Sequence, residues 1–148
     1  MITATAARMI CSIVTVATFA AGAAMADGQS ADDVHFHTTM TVNAGQADAV
    51  KPLLDRMVAA TQKNEPGALI YDYMGDGDQV HISERYADNA AAMTHMGNFG
   101  ANFAEEFIQT FSITSVAVYG PAGDDLKEVL APFSPKYMPQ IAAVGSMA

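Results

Sequence analysis

The chain has 148 residues, 51% of them apolar, with 16 acidic and 7 basic residues and a formal net charge of −9. That length suits one domain with a single sizeable core. The acidic balance argues against nucleic acid and against an anionic membrane surface as partners, and leaves small neutral ligands open.

Residues 1–26 read as a signal peptide. Arg8 supplies a short basic region, Met9 to Ala23 an apolar run, and Ala24-Met25-Ala26 an A-x-A cleavage site before Asp27. An uncleaved anchor is the alternative. The run is rich in Ala and Thr rather than Leu and ends in small residues, which favours cleavage. Cleavage removes Cys11, the single cysteine, so no disulfide, thiolate nucleophile or Cys-ligated metal is available afterwards. Six basic and 16 acidic residues then leave a formal charge of −10. The expectation is a periplasmic or secreted protein with no membrane contact after cleavage.

Asp27 to Asp33 is a short polar leader. Val34 to Val42 alternates, with Val34, Phe36, Thr38, Met40 and Val42 on one face and His35, His37, Thr39 and Thr41 on the other, which predicts a strand. Asn43 to Gln46 is a turn. Asp48 is a suitable cap for a helix to about Lys63, with Val50, Leu53, Leu54, Met57, Val58 and Thr61 at helical spacing. Pro52 is tolerated near a first turn. Glu65-Pro66-Gly67 ends the helix: Pro66 disfavours helix at Glu65, and Gly67 permits φ > 0.

Two strands follow, Ala68 to Met74 and Val80 to Tyr86, joined by the turn GDGD at Gly75 to Asp78. Asp88 opens a helix pair or broken helix to about Thr110, with an interruption expected near Gly97 to Gly100. Phe99, Phe103, Phe107 and Phe111 recur every four residues. Ser112 to Tyr119 is a fourth strand, Asp124 to Leu130 a short helix, and Ala131 to Ala148 a largely irregular, proline-containing tail. The order β-α-β-β-α-β predicts an α+β, ferredoxin-like domain over residues 34–119: an antiparallel four-stranded sheet with helices on one face. Residues 120–148 form a C-terminal extension. The uncovered sheet face predicts a homodimer, sheet against sheet.

The stretch EPGALIYDY…VHISERYADNAAAMTHMGNFGANF resembles the antibiotic biosynthesis monooxygenase family, including its quinol-monooxygenase-like members. The matching features are Glu65-Pro66-Gly67, Tyr71 to Tyr73, Glu84 with Tyr86, Asp88, His95, and Phe99 with Phe103. The resemblance implies a dimeric α/β barrel and an oxidation by O2 that needs no flavin or metal. Two positions depart from the pattern. Tyr86 stands where Trp is frequent, and Phe103 stands where haem-degrading relatives carry their iron ligand, so the resemblance does not extend to haem ligation.

Glu84, Tyr86 and His95 are the candidate catalytic residues. Glu84 and Tyr86, two apart on a strand, share a face, and His95 reaches them if that face lies under the helices. His95 or Tyr86 would then orient or deprotonate a phenol or hydroquinone, whose anion donates an electron to O2. A structural hydrogen-bonded pair joining helix to sheet is the competing reading. Tyr71, Tyr73, Met93 and Phe99 are candidates to line a pocket for a small aromatic or quinol-like molecule, and core packing is the alternative for each. Arg85 faces away from Glu84 and suits an ion pair at the dimer surface. His35, His37 and His81 share the other sheet face; they form a weak metal candidate, and no metal is expected. A dimeric binding module without catalysis is the alternative function.

Overall fold

The computed structural model describes residues 30–142, so the expected signal peptide lies outside the described residues. In chain order the elements are β1 (Val34–Val42), α1 (Ala47–Asn64), β2 (Ala68–Asp76), β3 (Gln79–Tyr86), α2 (Asn89–Asn102), α3 (Ala104–Thr110), β4 (Phe111–Tyr119), α4 (Asp124–Leu130) and β5 (Lys136–Met138). A single 3-10 turn, Ala131–Phe133, links the last two. Among the described residues no helix is long and apolar enough to cross a membrane.

The strands form one sheet in the order β2-β3-β1-β4-β5. The first four pair antiparallel in the ferredoxin-like arrangement expected from the alternating patterns. The sheet has five strands rather than four. Lys136–Met138 adds a short strand parallel to β4, with Val118 opposite Tyr137. Three prolines in the tail hid it, because a three-residue edge strand carries too few positions for a period to register.

Three boundaries also differ from expectation. α1 starts at Ala47 after Gln46 with no side-chain cap; Asp48 lies inside its first turn and Pro52 in its second. The long second helix breaks at Phe103, not at Gly97 to Gly100. Both glycines keep helical neighbours because helix interiors tolerate Gly at roughly 1 kcal/mol. Phe103 leaves helical geometry at φ −131°, while its N–H still bonds Phe99 O. Finally, Gly67 does not take a positive φ. It is needed for proximity: a Cβ there would sit 2.5 Å from the Cβ of Ala91 on α2. The hairpin is tighter than expected. Gly77, at φ +62°, is the first residue of a two-residue loop, as II′ turns require.

All helices lie on one face of the sheet. Beneath them are two apolar clusters. Val34, Phe36, Tyr86, Val118, Leu126 and Leu130 form one; Met40, Leu53, Met57, Ile82, Phe107 and Phe111 form the other. Asn89 ties α4 to the start of α2, donating to Asp125 Oδ1 (3.0 Å) and accepting from Gly123 N–H (2.6 Å). Buried polar residues are few. Thr38, Glu65, Glu84 and His95 are among them, and Glu84 and His95 stand near the junction of the two clusters.

Candidate functional site

Three chain segments bring the site together. Register places Glu84 of β3 beside Phe36 of β1 and Tyr71 of β2, all on the helix-covered face. Asp88 accepts a 2.8 Å hydrogen bond from Ala91 N–H, which fixes where α2 begins. His95 follows about two turns later on the buried side of that helix. Glu65, the residue that ends α1, approaches from the third direction. The missing side chain at Gly67 lets α2 close down on this junction, and the Glu65 carboxylate meets His95.

His95 is held from both sides. Its Nδ1 lies 2.8 Å from Glu65 Oε2, and its Nε2 lies 3.6 Å from Glu84 Oε2. A carboxylate only accepts, so Nδ1 carries a hydrogen; whenever the ring is neutral, the lone pair is then on Nε2. Asn98, one turn along α2, donates to the other Glu65 oxygen at 3.1 Å. Burial alone would raise the Glu65 pKa. The His95 hydrogen bond and charge and the Asn98 amide outweigh it, and the carboxyl ends below its ordinary value of 4.5. Glu84 is driven the other way: its complete burial raises its pKa, against the lowering influence of His95 and of the Tyr86 hydroxyl, which donates to it at 2.7 Å. The two carboxyl groups flanking one imidazole are thus pushed apart, the arrangement that separates acid from base roles in active sites.

The tyrosines act as phenols. Burial raises the pKa of Tyr71, Tyr73 and Tyr86 above the ordinary value of 10.0; Tyr73 and Glu84 add to it at Tyr71 and Glu84 adds to it at Tyr86, while at Tyr73 Glu84 adds and the hydrogen bond to Tyr71 lowers. Tyr73 donates to Tyr71 at 2.6 Å. Tyr71 meets the His95 ring edge-on at 5.0 Å between centroids, and Phe99 lies nearly parallel to it at 6.4 Å.

Two cavities meet at His95. The outer one, about 370 Å³, is bounded by α1 and α2 and lined by Thr61, Asn64, Glu65, Asn98 and Asn102 among others. The inner one, about 60 Å³, lies in the gap between the two core clusters and carries Glu84 in its wall. Met57, Tyr71, His95 and Phe99 line both.

Of the residues singled out from sequence, His95, Glu84, Tyr71 and Phe99 line a cavity. Tyr86 is fully buried, donates to Glu84 and holds its ring 5.1 Å from that of His95 between centroids. Tyr73 acts through Tyr71. Met93 lines neither cavity and packs against the first core cluster. On the outer sheet face His37 Nε2 lies 3.2 Å from His81 Nδ1, while His35 turns to Ser83. Among the described residues no group of three His, Cys, Asp or Glu is arranged to hold a metal ion. Arg85 lies 3.6 Å from Asp33. Glu65 and Asn98 escaped the sequence reading. The only signals were that Glu65 begins the Glu-Pro-Gly stop and that Asn98 follows His95 by three, which puts both on one helix face.

The family described as Antibiotic biosynthesis monooxygenase matches residues 33–111, just over half of the chain. Among solved structures, MupZ from Pseudomonas fluorescens is 26% identical with a TM-score of 0.67, covering 79% of this chain and 98% of that one. SnoaB, a cofactor-independent oxygenase from Streptomyces nogalater, is 17% identical with a TM-score of 0.52 and covers 62% of this chain and 95% of its own; that likeness is one of fold. The MupZ alignment takes in residues outside 33–111. A comparison with curated protein sequences finds no match.

Proposed function

The chain belongs to the antibiotic biosynthesis monooxygenase family, and from that premise we propose that it oxidises a small hydroxylated aromatic compound with O2, without an organic cofactor. The observation that carries the reading is the anchoring of His95. Glu65 holds Nδ1–H, so a lone pair is left on Nε2 of a residue that lines both cavities. A phenol or hydroquinone bound against His95 gives its O–H proton to that nitrogen. The electron-rich anion then reduces O2 directly. The balance closes without an external reductant. A hydroquinone and O2 yield a hydroxyquinone and water: one oxygen atom enters the ring, the other leaves as water with two substrate hydrogens, and the four electrons O2 accepts all come from the ring.

Asn64, Asn98 and Asn102 supply neutral polar groups to the outer cavity, suited to substrate hydroxyl and carbonyl oxygens. Glu84, favoured as the neutral acid by burial, adds no second negative charge beside the developing anion. The same reading exports the protein by its N-terminal segment. It also pairs two copies through the open sheet face, where His35, His37, Arg85 and Tyr119 are half-buried. A homodimer mass for the mature protein in sedimentation checks the pairing.

The test is O2 uptake by protein beginning at Asp27 against a panel of hydroquinones and polyphenols. His95→Gln keeps a donor for Glu65 but has no basic nitrogen. It is expected to lower turnover by roughly 10²–10⁴-fold while the protein stays folded. No uptake above autoxidation across the panel, together with a tightly held co-purified ligand, would replace catalysis by binding.

A further inference from the structure

We propose that the inner cavity is a dioxygen site, distinct from the outer cavity that takes the organic substrate; the assignment rests on the oxygenase reading above. Size separates the two spaces. The inner one has about 60 Å³ and the outer about 370 Å³. An apolar cavity of ~150 Å³ accommodates benzene, and a single water needs only ~10–15 Å³. The inner cavity is therefore too small for an aromatic ring and ample for a diatomic molecule.

Chemistry separates them as well. Apolar side chains make most of the inner wall, Phe36, Ile82, Phe107, Ile113, Val116 and Leu130 among them. Water needs two to four polar partners to occupy such a site. Glu84 accepts from Tyr86, Tyr71 accepts from Tyr73 and His95 Nδ1 lies on Glu65, which leaves Thr38 and His95 Nε2 as the remaining polar groups of that wall. Dioxygen makes no comparable demand. The outer cavity, with three asparagines and a carboxylate, is the wet one.

Position completes the argument. His95, Tyr71 and Phe99 form the partition between the spaces. A substrate anion formed against His95 lies beside the small cavity, so an electron passes to O2 over a short gap, and the superoxide formed then moves past these side chains to combine with the ring radical and make the C–O bond. Leu130 and Phe133, which line the inner cavity, come from beyond the family-matched residues 33–111. The C-terminal extension therefore supplies part of the gas site.

Dissolved O2 is itself the probe. In full-length mature protein with methyl-labelled Ile, Val and Leu, paramagnetic relaxation by O2 under pressure is expected to be several-fold stronger at Ile82, Ile113, Val116 and Leu130 than at Leu53 and Leu126. Leu53 and Leu126 lie outside the cavity and are buried, as Ile82, Val116 and Leu130 are, so those three carry the comparison; Ile113 is half-buried. Ile113→Phe should fill the space and abolish the excess; Val116→Ile does so more gently if the first variant does not fold. With any quinol the enzyme turns over, the filled variant should raise KM for O2 about tenfold and leave KM for the quinol unchanged. Equal relaxation at all the labelled buried methyls, or no excess at Ile82, Val116 and Leu130, overturns the assignment. The relaxation measurement needs no turnover. Oxygen in the cavity without quinol oxidation would leave the site standing and remove the oxygenase reading; quinol oxidation without the relaxation excess would do the reverse.

Discussion

Glu65→Gln keeps the shape of the residue that anchors His95 and removes its charge. Two donors converge on the native carboxylate, His95 Nδ1 at 2.8 Å and Asn98 Nδ2 at 3.1 Å. Glutamine offers a single acceptor oxygen. If that oxygen keeps Asn98, the amide NH2 faces Nδ1, the ring proton moves to Nε2, and the base is lost. If it keeps His95, two NH2 groups oppose each other and a buried donor goes unsatisfied. A charge-assisted bond of ~1.5–3 kcal/mol becomes a neutral one of ~0.5–1.5, so the stability loss is about 1–2 kcal/mol, or roughly 4–10 °C for a domain of this size. Turnover should fall further, by ~10²–10⁴, because moving an imidazole to the wrong tautomer costs about 10⁴ in a Ser-His-Asp triad. Glu65 has a lowered folded pKa, so its stabilisation is present above about 4.5 and is lost as pH falls through the folded value. Wild-type and variant melting temperatures should therefore converge in acid. The assay combines thermal melts across pH, two-bond ¹H–¹⁵N correlation of the His95 ring, and quinol-dependent O2 uptake. A folded variant with an unchanged tautomer and unchanged uptake would refute the reasoning.

Glu84→Gln should behave oppositely. A raised folded pKa gives stability that is complete below the ordinary 4.5 and is lost as pH rises through the folded value. Melting temperatures of variant and wild type are expected to agree near pH 4, with the variant pulling ahead as pH increases; parallel curves would show that Glu84 does not titrate differently on folding. Gly67→Ala places a methyl 2.5 Å from Ala91 Cβ and should cost about 1–3 kcal/mol by overpacking, with weakened His95–Glu65 contact visible in the same ring spectra. Leu126→Ala, at a fully buried position of α4, should cost about 2–5 kcal/mol in denaturant melts. A change below 0.5 kcal/mol, within the usual surface range, would mean that the extension is not docked.

The alternation in β1 and β3 was legible because a half-buried strand repeats every two residues, and each of these strands is long enough to show it; in β2 a register shift between Ala68 and Ile70 interrupts the period and leaves Leu69 exposed. The same periodicity put Glu84 and Tyr86 on one face, and cap chemistry at Asp88 located the helix carrying His95; the structure shows that face to be the covered one. Other features left weaker traces. Gly67 was legible as a special backbone position, but its reason is the approach of Ala91, 24 residues away, rather than its own φ. Phe103 breaks a helix whose local signals pointed at two glycines, because packing of the aromatic run outweighs a small intrinsic cost. β5 is too short to carry a pattern and exists because β4 offers it an edge.

By itself, then, the sequence determined the ferredoxin-like order of elements, the faces they bury and the family, since each depends on residue spacing within a segment. Tertiary structure alone decided that Glu65, and not only Glu84, partners His95. It also decided that Met93 stands apart from both cavities, and that the gap between two core clusters leaves a small apolar space beside a larger polar one. The physical reason is that burial periodicity records which side of an element faces inward, whereas hydrogen-bond partners and voids depend on how closely separate elements approach.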